Sequence, residues 1–577
     1  MPGLKRIITA AILFIFFSSP VLSQKDSISN ASEKIFFNAK IFTADKERPY
    51  AEAVCIKDDK IVAVGNYEEV KKTVTANAMQ IDLNGGFLMP GLIDSHEHAI
   101  DGGESLTRAN TFDFLILGDS LAAFAEKVQA DGTGMVDGFL VIDGINISTW
   151  SYLDELDQIF NKEKYKQMPV LLRGSDGHTA WANKVLLKKA GVTKDYIASS
   201  AAVRNYYGFN KDFVPNGFFA DSAFDKINAV LPDFKTDWEL AGVKAMEYNN
   251  SLGITALLDP AAGNIGNENN KILNAYQNLV QRNELTAHVA AAVVANADTD
   301  AMAQVHALHL LQQQYKGIKD LNIIGFKIFA DGVAEYPTQT AAFSKPYINK
   351  PSTGVLNFDP DKFDQFVVTA DKEGLLVHIH AIGDLAVTAA LDGVEAARKA
   401  NRNYNVPHTI THIQFALPKD FARFKQLNVL ASLQLLWAYG DFTTVDILKP
   451  YIDPSIYKWQ YPARSLLQAG TTICGASDWN VSSANPFEAI YTAETRLGSK
   501  GVLDSTQCMP RIDMLYAYTI NAAKALLMEK NIGSIEPGKY ADMILVDRDV
   551  LTITPDALKD TKVLWTMFEG KFVYKAK

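Results

Sequence analysis

The segment Gly91-Leu-Ile-Asp-Ser-His-Glu-His98 constrains the fold more than any other stretch of this 577-residue chain. A short apolar run opened by Pro90-Gly91 reads as a buried parallel strand, and two histidines spaced by one residue stand at its end. In an extended strand, side chains at i and i+2 point the same way, so His96 and His98 can face one metal ion. Paired imidazoles at the carboxyl end of such a strand suggest a metal-dependent hydrolase on a (β/α)₈ barrel, a fold whose active sites lie at that end. Two satisfied polar residues at a strand end would look the same in isolation, so the rest of the chain decides.

The length is too great for one ordinary core and suits a barrel with a satellite domain. Hydrophobic residues (48%) and charged residues (21%) are in globular proportion. A net charge of -10 without a basic cluster argues against a nucleic-acid partner. Only Cys55, Cys474 and Cys508 are present, so the chain is no disulfide scaffold, and Cys474 reads as core. At the N-terminus, Lys5 and Arg6 precede an apolar run from Ile7 to Phe17 and small residues up to Ser23. Residues 1–23 therefore read as a secretory signal peptide, with a run too short for a comfortable membrane span. An uncleaved anchor is the rival reading, and no cysteine follows the cut for lipid attachment. The expectation is export, most simply to a bacterial periplasm, with no stable membrane anchor and with a homodimer left open.

Lys34 to Phe42 and Ala51 to Val64 alternate like strands around a turn at Asp58-Asp59-Lys60, as do Ala541 to Val546 and Val563 to Tyr574 around Glu569-Gly570. Residues 32–88 and 526–577 are thus expected to form one small β-sandwich from both ends, flanking a barrel over 89–525. The middle alternates apolar runs with helical patterns. Its eight candidate strands are Gly91–Ser95, Ile254–Asp259, Ala287–Val294, Ile323–Phe329, Leu375–His380, Thr409–Ile413, Val429–Gln434 and Thr471–Ala476. The gap between the first two exceeds one crossover helix, so residues from about 100 to 245 must include an inserted subdomain, placed to cover the mouth of the barrel.

Five of these strands end in, or carry, a group suited to a metal centre: His96 with His98, then Lys327, His380, His412 and Asp478. Neutral imidazole and carboxylate suit Zn²⁺ and related ions. A lysine amine is a poor ligand until carbon dioxide converts it to a carbamate, whose two oxygens can bridge two ions. A carboxylate such as Asp478 can bind an ion and also take a proton from water whose pKa the ion lowers to ~7.

The ordered set His-x-His, Lys, His, His, Asp resembles the amidohydrolase superfamily. In finer wording it resembles amidohydrolase family 3, the branch containing N-substituted formamide deformylase. The motifs that carry the resemblance are Met89 to His98, Leu172 to Asn183, Lys327-Ile-Phe-Ala-Asp-Gly332, His380-Ala-Ile-Gly-Asp384, Gly475-Ala-Ser-Asp478 and Gly533 to Asp542. The resemblance implies His96 and His98 on one metal, a carboxylated Lys327, His380 and His412 on a second, and Asp478 back at the first. It implies one or two Zn²⁺ ions, the terminal β-sandwich, and the insertion after the first strand. The expected activity is hydrolysis of a non-peptide carbon–nitrogen bond in a small-molecule amide, N-substituted formamide or cyclic amide. Metal-activated hydroxide would attack, with Asp478 as general acid and base. An esterase, lactonase, phosphotriesterase or metal-assisted isomerase on the same site is the alternative.

His178, in the insertion, is implied to reach the site as a catalytic donor to substrate; the bland alternative is a loop histidine. His378 lies deeper than the metal layer and reads as a packed core histidine. His408 faces the wrong end, and His288, His306 and His309 read as surface or packing residues. An unmodified Lys327 paired with a carboxylate is the plain alternative there. Asp331 and Asp384 read as supporting partners or loop caps. The chain departs from the family where a Gln-Pro and a following His are expected near the seventh strand, carrying Leu433-Gln-Leu-Leu-Trp437-Ala-Tyr439 instead. It also places Thr409-Ile-Thr411 before His412, where a polar residue such as Arg is common. Trp437, Tyr439 and Trp479 at strand ends suggest an apolar or aromatic substrate group, although core packing explains any single one equally well.

Overall fold

The computed structural model describes residues 32–112, 114–232, 235–266 and 270–577; the leader expected at 1–23 lies outside them. Eight parallel strands follow one another around a barrel: Leu92–Asp94, Ile254–Asp259, His288–Val294, Leu321–Phe329, Leu376–Ala381, Thr409–His412, Leu430–Leu433 and Thr472–Gly475. Each falls on an expected apolar run, with ends shifted by at most two residues. The ladder between the first and eighth strands is nearly closed, and the Ser95 N–H donates to the Gly475 carbonyl at 3.0 Å. Every residue of Ile254–Asp259 and of Leu376–Ala381 is buried, as strands covered on both faces require. Helices such as Trp238–Leu252, Lys271–Gln281 and Asp384–Asn401 separate the strands and cover them. The short helix Ala99–Ser105 starts directly after His98 and packs on Trp238–Leu252. At Gly103 a Cβ would stand 1.9 Å from the Ala241 carbonyl oxygen, and at Gly102 2.5 Å from the Trp479 ring, so only glycine permits this approach.

Between the first and second barrel strands lies a separate six-stranded sheet, in the order Tyr207–Phe209, Pro215–Ala220, Thr179–Ala182, Val170–Gly174, Phe139–Ile145, Met135–Val136. Its central strands are largely apolar because both faces are covered. Leu171, Ala180 and Ala182 enter one apolar cluster; Leu172, Trp181, Leu140 and Ile142 enter another on the opposite face.

Strands from both ends of the chain join in one further sheet, ordered Lys571–Lys575, Val563–Phe568, Met543–Val546, Met79–Pro90, Glu33–Phe42, Ala53–Lys57, Lys60–Gly65. Met79–Pro90 lies at its centre and runs on into the first barrel strand. The junction between sheet and barrel is ionic. His288, at the start of the third barrel strand, is fully buried. Its Nδ1 lies 2.8 Å from Asp320 Oδ1 and its Nε2 3.0 Å from Asp542 Oδ2. The sequence reading of His288 as a surface or packing residue is corrected. Burial opposes its charge, but the carboxylates of Asp542 and Asp320 outweigh that and push the imidazole up to about 9.

The sign of this shift gives a stability prediction. A pKa raised above the ordinary 6.5 stabilises fully below pH ~6.5, and the contribution is lost as pH rises through about 9. His288→Gln should destabilise the chain at pH 6.5 by about 3 kcal/mol. The gap between variant and wild-type denaturation midpoints should narrow steadily up to pH 9.5. A gap independent of pH would refute the charged clasp.

Candidate metal centre

The barrel brings together every ligand candidate at the carboxyl end of its strands. His96, His98, Lys327, His380, His412 and Asp478 all line one cleft, joined by His178 from the insertion. Asp478 is the hub. Its Oδ1 lies 3.3 Å from His96 Nε2 and 3.2 Å from His98 Nε2, and its Oδ2 lies 3.9 Å from His412 Nδ1. Ligand atoms of His96, His98 and Asp478 fall within 4.8 Å of one another, close enough to share an ion. The rings of His380 and His412 are 4.6 Å apart between centroids, and those of His96 and His412 5.0 Å, so the two halves of the set adjoin.

Hydrogen bonds set which nitrogen of His380 and of His412 keeps a lone pair. His380 Nε2 donates to the Gly332 carbonyl at 3.1 Å, which leaves Nδ1 free of a proton. His412 Nδ1 donates to Gln434 Oε1 at 3.0 Å, which leaves Nε2 available. Burial keeps most of these rings neutral. Desolvation, with Lys327 nearby, pushes His96 and His380 down to about 3 and holds His412 well below the usual range. Lys327 is 1% exposed; its amine stands 4.9 Å from the Phe329 ring centre, makes no hydrogen bond or ion pair among the described residues, and is pushed by burial down to about 7. Burial lowers His98 too, but its bond to Asp478 outweighs this and raises it. Burial raises Asp478, and its neighbours His96 and His98 outweigh that and hold the carboxyl well below its ordinary range. A mostly neutral imidazole set around one ionised carboxylate fits a divalent cation.

The backbone is bent to present these groups. His412 (φ 72°) and Asp478 (φ 57°) both occupy the left-handed region, a strain of about 1–3 kcal/mol each that neighbouring structure must hold. Asp94 Oδ1 accepts from the backbone N–H groups of His96 (3.0 Å) and Ser477 (3.2 Å), tying the first strand's end to the eighth's. The Asp478 N–H donates to the His96 carbonyl at 2.8 Å and the His98 N–H to the Trp479 carbonyl at 2.7 Å. Asp331 accepts from the N–H groups of Ala342, Ile382 and Gly383, shaping the loop after the fifth strand. Asp384 accepts from the Ser344 N–H.

The insertion forms the opposite wall. His178 Nδ1 lies 3.0 Å from Asp221 Oδ1, a partner that sequence reasoning missed because it lies 43 residues away on another element. Burial lowers His178, but the Asp221 bond and the nearby Asp176 carboxylate raise it overall. The cleft encloses about 1270 Å³ of free space including its open mouth, walled by Phe329, Trp437, Tyr439 and Tyr461. Trp437 stacks near-parallel (11°) to His412. Trp479 does not line the cleft; it is 3% exposed and packs on Tyr248, which corrects its reading as a substrate contact. His408 is buried on Asp371, and His306 and His309 lie on helix Ala301–Gln314. His378, expected as plain core, lies against His96.

Comparisons with known proteins agree on the family and the fold. The Amidohydrolase family matches residues 80–574. Protein LONG AFTER FAR-RED 3 of Arabidopsis thaliana is 28% identical over 521 residues, 88% of this chain and 86% of that protein. N-substituted formamide deformylase of Arthrobacter pascens is 23% identical over 591 residues, 94% of this chain and 98% of its own. Among solved structures, an uncharacterized metal-dependent hydrolase from Pyrococcus horikoshii OT3 has a TM-score of 0.68 at 24% identity, covering 91% of this chain and 99% of its own; it bears on the fold.

The donor set predicts that the purified chain retains one or two Zn²⁺ per molecule after dialysis, measured by elemental analysis. His96→Ala/His98→Ala should lose at least one equivalent, whereas His306→Ala on the outer helix should keep the wild-type content. Equal content in all three would remove the assignment.

Proposed function

Because this chain belongs to amidohydrolase family 3 and is a hydrolase of carbon–nitrogen bonds other than peptide bonds, we propose that its substrate is a small amide of the N-substituted formamide type carrying an apolar or aromatic group. The observation that carries the reading is the meeting of His96, His98 and Asp478 within 4.8 Å in the same cleft as His380, His412 and Lys327. Zn²⁺ matches these nitrogen and oxygen donors. Such an ion supplies a Lewis acid and brings the pKa of water near ~7. Asp478, ionised and facing His96, His98 and His412, accepts the proton of the attacking water at a carboxylate oxygen and returns it to the leaving nitrogen. His178, held by Asp221, donates from Nε2 to the carbonyl oxygen as charge builds there. Phe329, Trp437, Tyr439 and Tyr461 form a wall for an apolar substituent, and the deformylase relative supports a formamide.

Three finer readings accompany this one. Lys327 would take up carbon dioxide as a carbamate and so offer oxygen ligands to the metal centre; its burial and its drop to about 7 support the unprotonated amine that this needs. The sheet built from both ends folds over as a sandwich, supported by Phe36 packing on Trp565 (5.7 Å) and Phe572 (6.4 Å) across the sheet order. The enzyme is exported to a periplasm, on the pattern of Lys5 to Ser23. No described helix is long and apolar enough to cross a membrane.

A panel of N-aryl and N-alkyl formamides, each paired with its formate ester, tests the substrate class. The amides should turn over with the higher kcat/KM and take up ¹⁸O from labelled water. Preference for the esters, or product without label, would favour the rival chemistries. Asp478→Asn should lower kcat by at least about 10² while Zn²⁺ remains bound; full activity would refute its role. His178→Ala should cost about 10²–10³ in kcat. Since Asp221 raises His178, Asp221→Asn should move the alkaline limb of the kcat profile to lower pH; an unmoved limb would exclude His178 as the donor.

A further inference from the structure

His96 uses only one of its ring nitrogens in the cleft. Nε2 faces Asp478, and Nδ1 turns inward to lie 2.6 Å from His378 Nε2. His378 Nδ1 in turn lies 2.5 Å from Thr409 Oγ1. These three residues stand on, or just beyond, the first, fifth and sixth barrel strands and are at most 1% exposed. Two imidazole nitrogens can share a hydrogen bond only when one of them carries the proton. The chain of contacts therefore has two directions. In one, Thr409 donates to His378, His378 donates to His96 Nδ1, and the His96 proton is left on Nε2, where no cation can bind. In the other, His96 Nδ1–H donates to His378 Nε2, His378 Nδ1–H donates to Thr409 Oγ1, and His96 Nε2 offers a lone pair.

We propose that His378 and Thr409 are positioning residues that hold His96 in its metal-ready tautomer. The inference rests on the metal-hydrolase reading of the cleft. The usual inner partner of a metal-bound histidine is a carboxylate or carbonyl, which can only accept. A carboxylate here would bury an extra negative charge below the ions. His378 accepts without adding charge, but its acceptor role depends on the Thr409 hydroxyl accepting in turn. The affinity of the first ion is thus set by a hydroxyl two hydrogen bonds below it.

The test is Zn²⁺ affinity of the full-length chain, measured by competition with a chromophoric chelator, with Co²⁺ visible spectra as a second readout of ligand geometry. His378→Gln can present an amide oxygen to His96 and an N–H to Thr409, which permits the same direction; its affinity should stay within about threefold of wild type. His378→Leu cannot accept and should weaken binding by about 10–100-fold and shift the Co²⁺ bands. Thr409→Val, which keeps shape and removes the acceptor, should weaken it by about tenfold. A packing role predicts the reverse order, with Leu and Val tolerated and Gln worse. Wild-type affinity in His378→Leu and Thr409→Val overturns this inference and leaves the metal reading standing. A wild-type chain that binds no Zn²⁺ overturns both.

Discussion

Every other feature of the cleft depends on how one carboxylate neutralises a crowd of nitrogen bases in a dry barrel mouth. Asp478 is 7% exposed and faces His96, His98 and His412 through its two oxygens. If all of these rings and Lys327 were protonated at once, the excess positive charge would be prohibitive at such burial. The fold resolves this by desolvation, which pushes His96 and His380 down to about 3 and Lys327 down to about 7, while His98 is raised by its bond to Asp478. Neutral nitrogen lone pairs aimed at a common point are what a divalent cation requires. The same burial that makes the site costly without an ion makes it selective for one.

Holding that arrangement is work for the closure of the barrel. Asp94 bridges backbone N–H groups at the ends of the first and eighth strands, and residues 96 and 98 exchange main-chain bonds with 478 and 479. Strain at Asp478 is sustained by these ties. The insertion adds what a bare barrel lacks, a wall that brings His178 and its partner Asp221 over the cleft. At the far end of the barrel, His288 links the strands to the sheet formed from both ends of the chain.

The barrel was legible because its strands are buried on both faces and read as short apolar runs, and because ligand types recur at their carboxyl ends. Each of the metal candidates named from sequence lines the cleft. What sequence could not supply were contacts between residues distant along the chain. Asp221 lies on an insertion turn with no pattern of its own, and it meets His178 only through sheet pairing. His378 shares strand parity with His380, which signalled that it points inward but not that it meets His96 from across the barrel. His288 looked like one more histidine because its partners Asp320 and Asp542 come from separate segments. Trp479 had the right position and the wrong orientation, packed on Tyr248.

The central claim is that His96, His98 and Asp478 converge to hold a divalent cation at the carboxyl end of the barrel. Anomalous diffraction at the zinc absorption edge, from crystals of the Zn²⁺-loaded chain, addresses it directly. The account predicts a peak bonded to His96 Nε2, His98 Nε2 and Asp478. Among the described residues, one other group brings such donors within 4.8 Å: His288, Asp320 and Glu569 below the barrel. A peak there alone, or a loaded crystal with no density between His96, His98 and Asp478, would contradict the account.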